Sequence, residues 1–310
     1  MISWRLLTYR SDSGPRAGIA VGDDFTDAAG GTGEVRDATI IGILEDWDAA
    51  QVRLSRAVGA MMAGDLATTP LAEAVLLAPV HYPTTIYCAG ANYTDHVARM
   101  AEVLGLPPDP DPHEVGLNPW HFIKPSRCAV GPDATVEMPS QKLDWEVELG
   151  LVIGRTARNV PVERALEHVA GYVVANDLSA RDFVSRPGVP DGSPFKFDWV
   201  GQKCFDGSCP FGPWIVPAAA VPDPLALSIR LRVNGDLRQD STTARMIFTP
   251  AEQIAHLSSR LTLHPGDIIL TGTPMGVGAE SGHFLSPGDV VEAEVEGLGT
   301  LRTIIGKAAS

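Results

Sequence analysis

Asp144-Trp145-Glu146-Val147-Glu148-Leu149-Gly150-Leu151-Val152-Ile153 alternates between acidic and apolar residues before running into an apolar end. Trp145, Val147, Leu149, Leu151 and Ile153 share one side of a strand, and Asp144, Glu146 and Glu148 share the other. Further on, Tyr172-Val173-Val174-Ala175 reads as a buried strand that ends in Asn176-Asp177. Ser179-Ala180-Arg181-Asp182 and then Gly201-Gln202-Lys203 follow it. Two carboxylates on one strand face, with a third at the end of a nearby apolar strand, repel one another, and without a cation one of them takes up a proton. A hard cation among them removes the repulsion. All-oxygen ligands favour Mg²⁺ or Mn²⁺ and admit Ca²⁺. An isolated Glu-x-Glu is more often a solvated strand face. Glu292, Glu294 and Glu296, which alternate with Val291, Ala293 and Val295, are assigned to solvent on that ground.

The chain has 310 residues, 45% of them apolar and 20% charged, enough for one large domain or for a large and a small one. Its 31 glycines and 25 prolines fall at punctuation points and imply many strands joined by tight turns. A net charge of −14 argues against a nucleic-acid backbone or an anionic membrane as partner. No run approaches 18 apolar residues and the first residues show no signal-peptide pattern, so a cytoplasmic protein is expected. Cys88, Cys128, Cys204 and Cys209 are expected as reduced thiols.

Residues 1–80 read as a small N-terminal α+β unit, with strands over Ser3–Tyr9 and Ala17–Val21 and a helix over Ala49–Ala63 that buries Met61 and Met62. Residues 81–310 form the larger unit. Ile86–Gly90 is a strand that runs into a helix capped by Asn92 or Thr94, and the proline-rich 105–120 stretch is a surface excursion with the character of a lid. Ile215–Val221 and Leu227–Val233 are strands, and Asn234-Gly235 is a hairpin turn. Thr249-Pro250-Ala251-Glu252 is a capping box. With many strands and few helices, the chain is a strand-rich α+β protein with a rolled sheet rather than an alternating βα fold.

Taken together, Gly-x-Asn-Tyr-x-Asp-His from Gly90, Phe-x-Lys-Pro from Phe122, Asp-x-Glu-x-Glu from Asp144 and Asn-Asp-x-Ser-x-Arg-Asp from Asn176 carry a family resemblance. Lys-x-Phe-Asp from Lys203 and Thr-Gly-Thr-Pro-x-Gly-Val-Gly from Thr271 complete it. The ordered set resembles the fumarylacetoacetate hydrolase family over about two thirds of the chain. The resemblance implies a mixed β-roll C-terminal domain, a bound Mg²⁺ or Mn²⁺ (Ca²⁺ in some members) and a homodimer. It places metal ligands at Glu146, Glu148 and Asp177, and catalytic groups at His96, Lys203, Arg181 and Thr273. Lys124, Tyr93 and Gly272 fall at substrate-contacting positions, and Asp95 is either a further ligand or structural. Two positions depart from the pattern: Arg99 stands where hydrolytic members carry the glutamate that partners His96, and Val184 where a glutamine is usual. A histidine without a carboxylate partner is a poorer base. Glu102 and Glu114 are the substitutes considered.

The implied substrate is a 2-oxo or 2,4-dioxo acid. The expected reaction is hydrolysis of a carbon–carbon bond in an acylpyruvate-type acid through an enolate at the metal. Decarboxylation, isomerisation and hydration use the same enolate and are the alternatives, as is a metal-stabilised scaffold without turnover. Trp120, His121 and Trp199 are candidates for reading the acyl group. No Gly-x-Ser-x-Gly is present, and Gly276-x-Gly278 lacks the spacing of a dinucleotide loop.

Overall fold

The computed structural model describes residues 4–308. Its main feature is a 12-stranded mixed sheet. From one edge the order runs Thr69–Pro70, Asp24–Asp27, Gly14–Val21, Trp4–Ser11, Cys209–Pro217, Val169–Asn176, Val147–Ile153, Ile268–Leu270, Ile86–Ala89 and His121–Lys124. Leu6 pairs with Ile215, so the first strands extend the same sheet as the later ones. Ile268–Leu270 and Ile86–Ala89 run parallel; their neighbours are mostly antiparallel. A second, five-stranded sheet contains Asp236–Thr242, Ser228–Val233, Val290–Val295, Gly299–Gly306 and Thr135–Glu137. The strand-rich α+β architecture expected from the turn pattern is present.

Period-two alternation sets where the core lies. From the Val147–Ile153 strand, Val147, Leu149, Leu151 and Ile153 pack with Ile229, Leu231, Val291 and Val295 of the second sheet. Val152 turns the other way, into a core with Val173, Ala175, Trp47 and Leu54. Every residue of this strand is buried, so neither face is wet. Fully burying each such aliphatic side chain contributes about 1.5–3 kcal/mol. The odd and even positions separate as the sequence implies, but the strand begins at Val147, three residues after the Asp144 at which the alternation opens. Glu146 N–H is drawn out of the ladder by the Asn176 side chain, to whose Oδ1 it donates at 2.9 Å. Leu143–Asp144 instead pairs with Ser179–Ala180.

Other local expectations divide in the same physical way. The helix covers Trp47–Ala63, with Met61 buried and Met62 more than half exposed. Adjacent positions on a helix are about 100° apart, so the two methionines cannot both face inward. The next helix spans Thr94–Leu104 and starts without a side-chain cap. Asn92 is engaged elsewhere: its Nδ2 donates to the carbonyls of Phe248 and Thr271, and its Oδ1 accepts from Phe248 N–H. Asn234 and Gly235 both have positive φ, 53° and 85°, as a type I′ hairpin requires. The strand expected to reach Val221 ends at Pro217, where Ala218–Ala220 makes a short 3₁₀ turn. Thr249 and Glu252 form the reciprocal capping box. None of the helices among the described residues is long and apolar enough to cross a membrane.

Candidate metal centre and active site

Glu148 projects from the middle of the large sheet, Glu146 from the chain entering that strand, and Asp177 from the end of the neighbouring Val169–Asn176 strand. All three are buried, and one oxygen of each lies within 4.8 Å of the others. Chain pairing brings this about. Val147 is opposite Asn176, and Asp177 N–H donates to the Glu146 carbonyl at 2.9 Å, so the two strand ends are held side by side.

Three cations enclose the acids. Lys203 Nζ donates to Glu146 Oε2 at 3.0 Å and to Asp177 Oδ2 at 2.7 Å. Arg181 joins Asp144 Oδ2 at 2.8 Å to Glu146 Oε1 at 2.6 Å. Lys124 donates to the carbonyls of Leu178 and Ser208 and stands 2.7 Å from Asp177 Oδ1. That last pair is close but poorly aligned, and Asp177 Oδ1 accepts no hydrogen bond. Burial pushes the Glu146 carboxyl up, but Lys203 and Arg181 outweigh it and hold the group below the usual carboxylate range. Burial also works against the Lys203 ammonium, yet Asp177 and Glu146 keep it charged. At Glu148 the balance goes the other way. Burial, then the Asp177 and Glu146 charges, raise its carboxyl well above the ordinary value, and the Lys203 charge and the Gly272 N–H, 2.6 Å from Oε2, do not offset them. A hard oxygen donor set with one uncompensated carboxyl and one unbonded oxygen fits a divalent cation.

The Thr271–Gly278 loop supplies the opposite wall. Gly272 has φ 96°, and a Cβ there would lie 2.8 Å from Asn92 Cβ, so only glycine presents its N–H to Glu148 in this way. Thr273 is buried, and its Oγ1 accepts from Gln239 Nε2 at 2.9 Å. Gln239 also donates to the Pro274 carbonyl and accepts from Val147 N–H. Asp144 Oδ1 and Oδ2 accept from Gly278 and Ala279 N–H, which fixes the turn carrying Glu280. Glu280 Oε2 accepts from Gly276 N–H at 2.8 Å, and its Oε1 lies 2.8 Å from His96 Nδ1.

Glu280 is thus the acid beside His96. Glu102 is held by Arg99 at 2.9 Å, and neither it nor Glu114 hydrogen-bonds to the imidazole. Asp95 lies outside the carboxylate cluster; it accepts from Ser241 Oγ at 2.6 Å and from its neighbour's N–H. Tyr93 is fully buried, and its hydroxyl finds no hydrogen-bond partner. Phe122 lies under Lys203, with Nζ 5.1 Å from the ring centroid, and packs with Trp120 and Trp199 at 5.7 and 6.0 Å. Trp120 also lies over Gly90, where a Cβ would come within 1.7 Å of the indole. His121, on the other face of that strand, turns away and stacks on His256 at 6.1 Å. Glu280 and Gln239 were not foreseen; the one local signal was an acid two residues beyond the glycine-rich run, and for Gln239 there was none.

Comparison with known proteins agrees with this geometry. Residues 85–305 match the model of the fumarylacetoacetate (FAA) hydrolase C-terminal domain. The human mitochondrial protein named oxaloacetate tautomerase FAHD2B is 41% identical over 244 residues, 77% of this chain and 72% of its own. Maleylpyruvate hydrolase from Sphingobium sp. SYK-6, solved with manganese(II) and pyruvate, superposes with a TM-score of 0.73 at 30% identity, covering 98% of this chain and 100% of its own. The 5-carboxymethyl-2-hydroxymuconate delta-isomerase of Mycobacterium smegmatis gives 0.71 at 29% identity, over 98% and 99%. The chain belongs to the fumarylacetoacetate hydrolase family.

Proposed function

We propose that the protein is a divalent-metal-dependent enzyme that hydrolyses the carbon–carbon bond of an acylpyruvate-type 2,4-dioxo acid. The observation that carries this reading is the His96–Glu280 pair, in which Glu280 directly follows the loop whose Gly272 N–H engages Glu148 and His96 reaches it from the Thr94–Leu104 helix. A Mg²⁺ or Mn²⁺ held by Glu146, Glu148 and Asp177 would supply Lewis acidity toward the 2-oxo and carboxylate oxygens. The remaining work falls to side chains of this chain. An ionised Glu280 only accepts hydrogen bonds, so His96 Nδ1 carries its proton toward it and Nε2 is left free as the base. Nε2 takes a proton from water, the hydroxide adds to the acyl carbonyl, and the carbon–carbon bond breaks. The carboxylic acid of the acyl group and pyruvate leave, the methyl of pyruvate receiving the proton from His96. Glu280 stabilises the imidazolium in between. Lys203 stays an ammonium that would face the carboxylate end of the substrate, and Thr273, which receives its hydrogen bond from Gln239, has its own proton free to donate to an oxyanion.

A second reading is keto–enol tautomerisation of a 2-oxo dicarboxylic acid, favoured by the 41% identity to the oxaloacetate tautomerase. The same base would shuttle a proton between carbon and oxygen, with no bond cleaved. Following acetylpyruvate and enol-oxaloacetate by NMR with Mn²⁺ separates the two. Release of acetate and pyruvate supports hydrolysis; faster enol-to-keto conversion with acetylpyruvate left intact overturns it in favour of tautomerisation.

A further inference from the structure

The cavity beside His96 adjoins a larger cleft that the chemistry above does not use. The Thr94–Leu104 helix has no buried residue along its length, although one side of it is apolar. Such a face normally packs on a core. Here it borders a cleft of about 710 Å³, closed on the far side by the Pro108–Pro112 segment and at the base by Met246 and Ile247. Ala91, Val97, Ala101 and Asp109 line both this cleft and the smaller cavity that includes His96, so the two adjoin.

The lining is selective by charge. Val97, Ala98, Leu117, Met246 and Ile247 present apolar surface. The ionisable groups are Asp109, Asp111 and His113. His113 is the one group there able to carry positive charge, and both ring nitrogens face carboxylates: Nδ1 lies 3.3 Å from Asp111 Oδ1 and Nε2 3.0 Å from Glu252 Oε1. A carboxylate entering the cleft meets two acids and no available cation, and an unpaired charge is costly to desolvate.

We infer that this cleft receives the end of the substrate remote from the 2-oxo acid, and that it selects an uncharged apolar tail over one ending in a second carboxylate. This rests on the proposed 2-oxo acid site. It gives this chain a different substrate preference from one for dicarboxylic acids such as oxaloacetate.

Binding of uncleavable 2-oxo acids tests it. Dissociation constants of the Mn²⁺-loaded protein are measured by calorimetry for pyruvate, 2-oxohexanoate, 2-oxooctanoate and 2-oxooctanedioate. Affinity is expected to rise about fourfold for each methylene buried. The octanedioate is expected to bind at least about tenfold more weakly than the octanoate. Asp109→Lys is expected to shrink that penalty. Equal or tighter binding of the dioate, or no gain with chain length while pyruvate still binds, overturns the cleft assignment alone. Failure of pyruvate itself to bind overturns the 2-oxo acid site, and the cleft assignment with it.

Discussion

His96 Nδ1 and Glu280 Oε1 are 2.8 Å apart, although 184 residues separate them in the chain. The pairing gives His96 a carboxylate partner that Arg99 does not offer, and in the proposed hydrolysis that partner would fix the tautomer of the imidazole and stabilise its protonated form. Glu280→Gln is therefore expected to lower kcat by about 10²-fold or more with a small change in KM, since the amide keeps the shape but not the charge. Steady-state kinetics at saturating Mn²⁺ check this. A kcat within twofold of the parent would place the base elsewhere.

Asn92 holds three backbone groups at once, the Phe248 N–H and the carbonyls of Phe248 and Thr271. Asn92→Ala is expected to destabilise the protein by at least about 2 kcal/mol, because buried groups lose their partners. Since Thr271 begins the loop that presents Gly272 and Thr273, activity should fall further than stability alone accounts for. Urea unfolding read alongside kcat/KM separates the two effects.

Gln239 is a positioning residue, tied to Thr273 Oγ1, Pro274 O and Val147 N–H. Gln239→Glu removes the donors to Thr273 and Pro274 while keeping the acceptor for Val147. KM is expected to rise about tenfold, in line with loss of the two hydrogen bonds that hold Thr273 and Pro274 in place, with Mn²⁺ affinity little changed. If Mn²⁺ affinity falls as much as substrate affinity, the residue is structural to the metal centre instead.

The proline-rich wall of the cleft should respond to pH. The hydrogen bond to Glu252, and after it Asp111, raise the His113 pKa above its ordinary value. A group whose pKa is raised on folding stabilises the folded arrangement fully below its unfolded value, about 6.5, and this is lost as pH rises through the folded value. Limited proteolysis of the 105–120 segment is accordingly expected to be slower at pH 6 than at pH 9, and His113→Ala should remove the difference. The imidazole is largely exposed, so global stability should change little.

Much of this molecule is legible in its sequence, and the parts that are not share a cause. Period-two patterning around Leu149, tight-turn pairs such as Asn234-Gly235 and the Thr249–Glu252 cap are local signals, and each appears in the fold as read. The three acids were legible because two share a strand face and the third ends an apolar strand. The pairing of Leu6 with Ile215, which joins the N-terminal strands to the main sheet, has no local signature. Glu280 sits just past the glycine-rich run, but its contact with His96 has no local signature either, because Asp144 anchors the Gly278–Ser281 turn that carries it. Asn92 failed as a cap for a related reason, since distant backbone groups compete for its side chain.

The most direct test of the account is equilibrium Mn²⁺ binding, followed by electron paramagnetic resonance, to the parent protein and to Glu148→Ala and Asp177→Ala. One tightly held ion per chain in the parent, with binding weakened by about 10²-fold or more in each variant, is the predicted result. Undiminished binding in both variants, or no binding by the parent, would contradict the claim that Glu146, Glu148 and Asp177 form a metal centre.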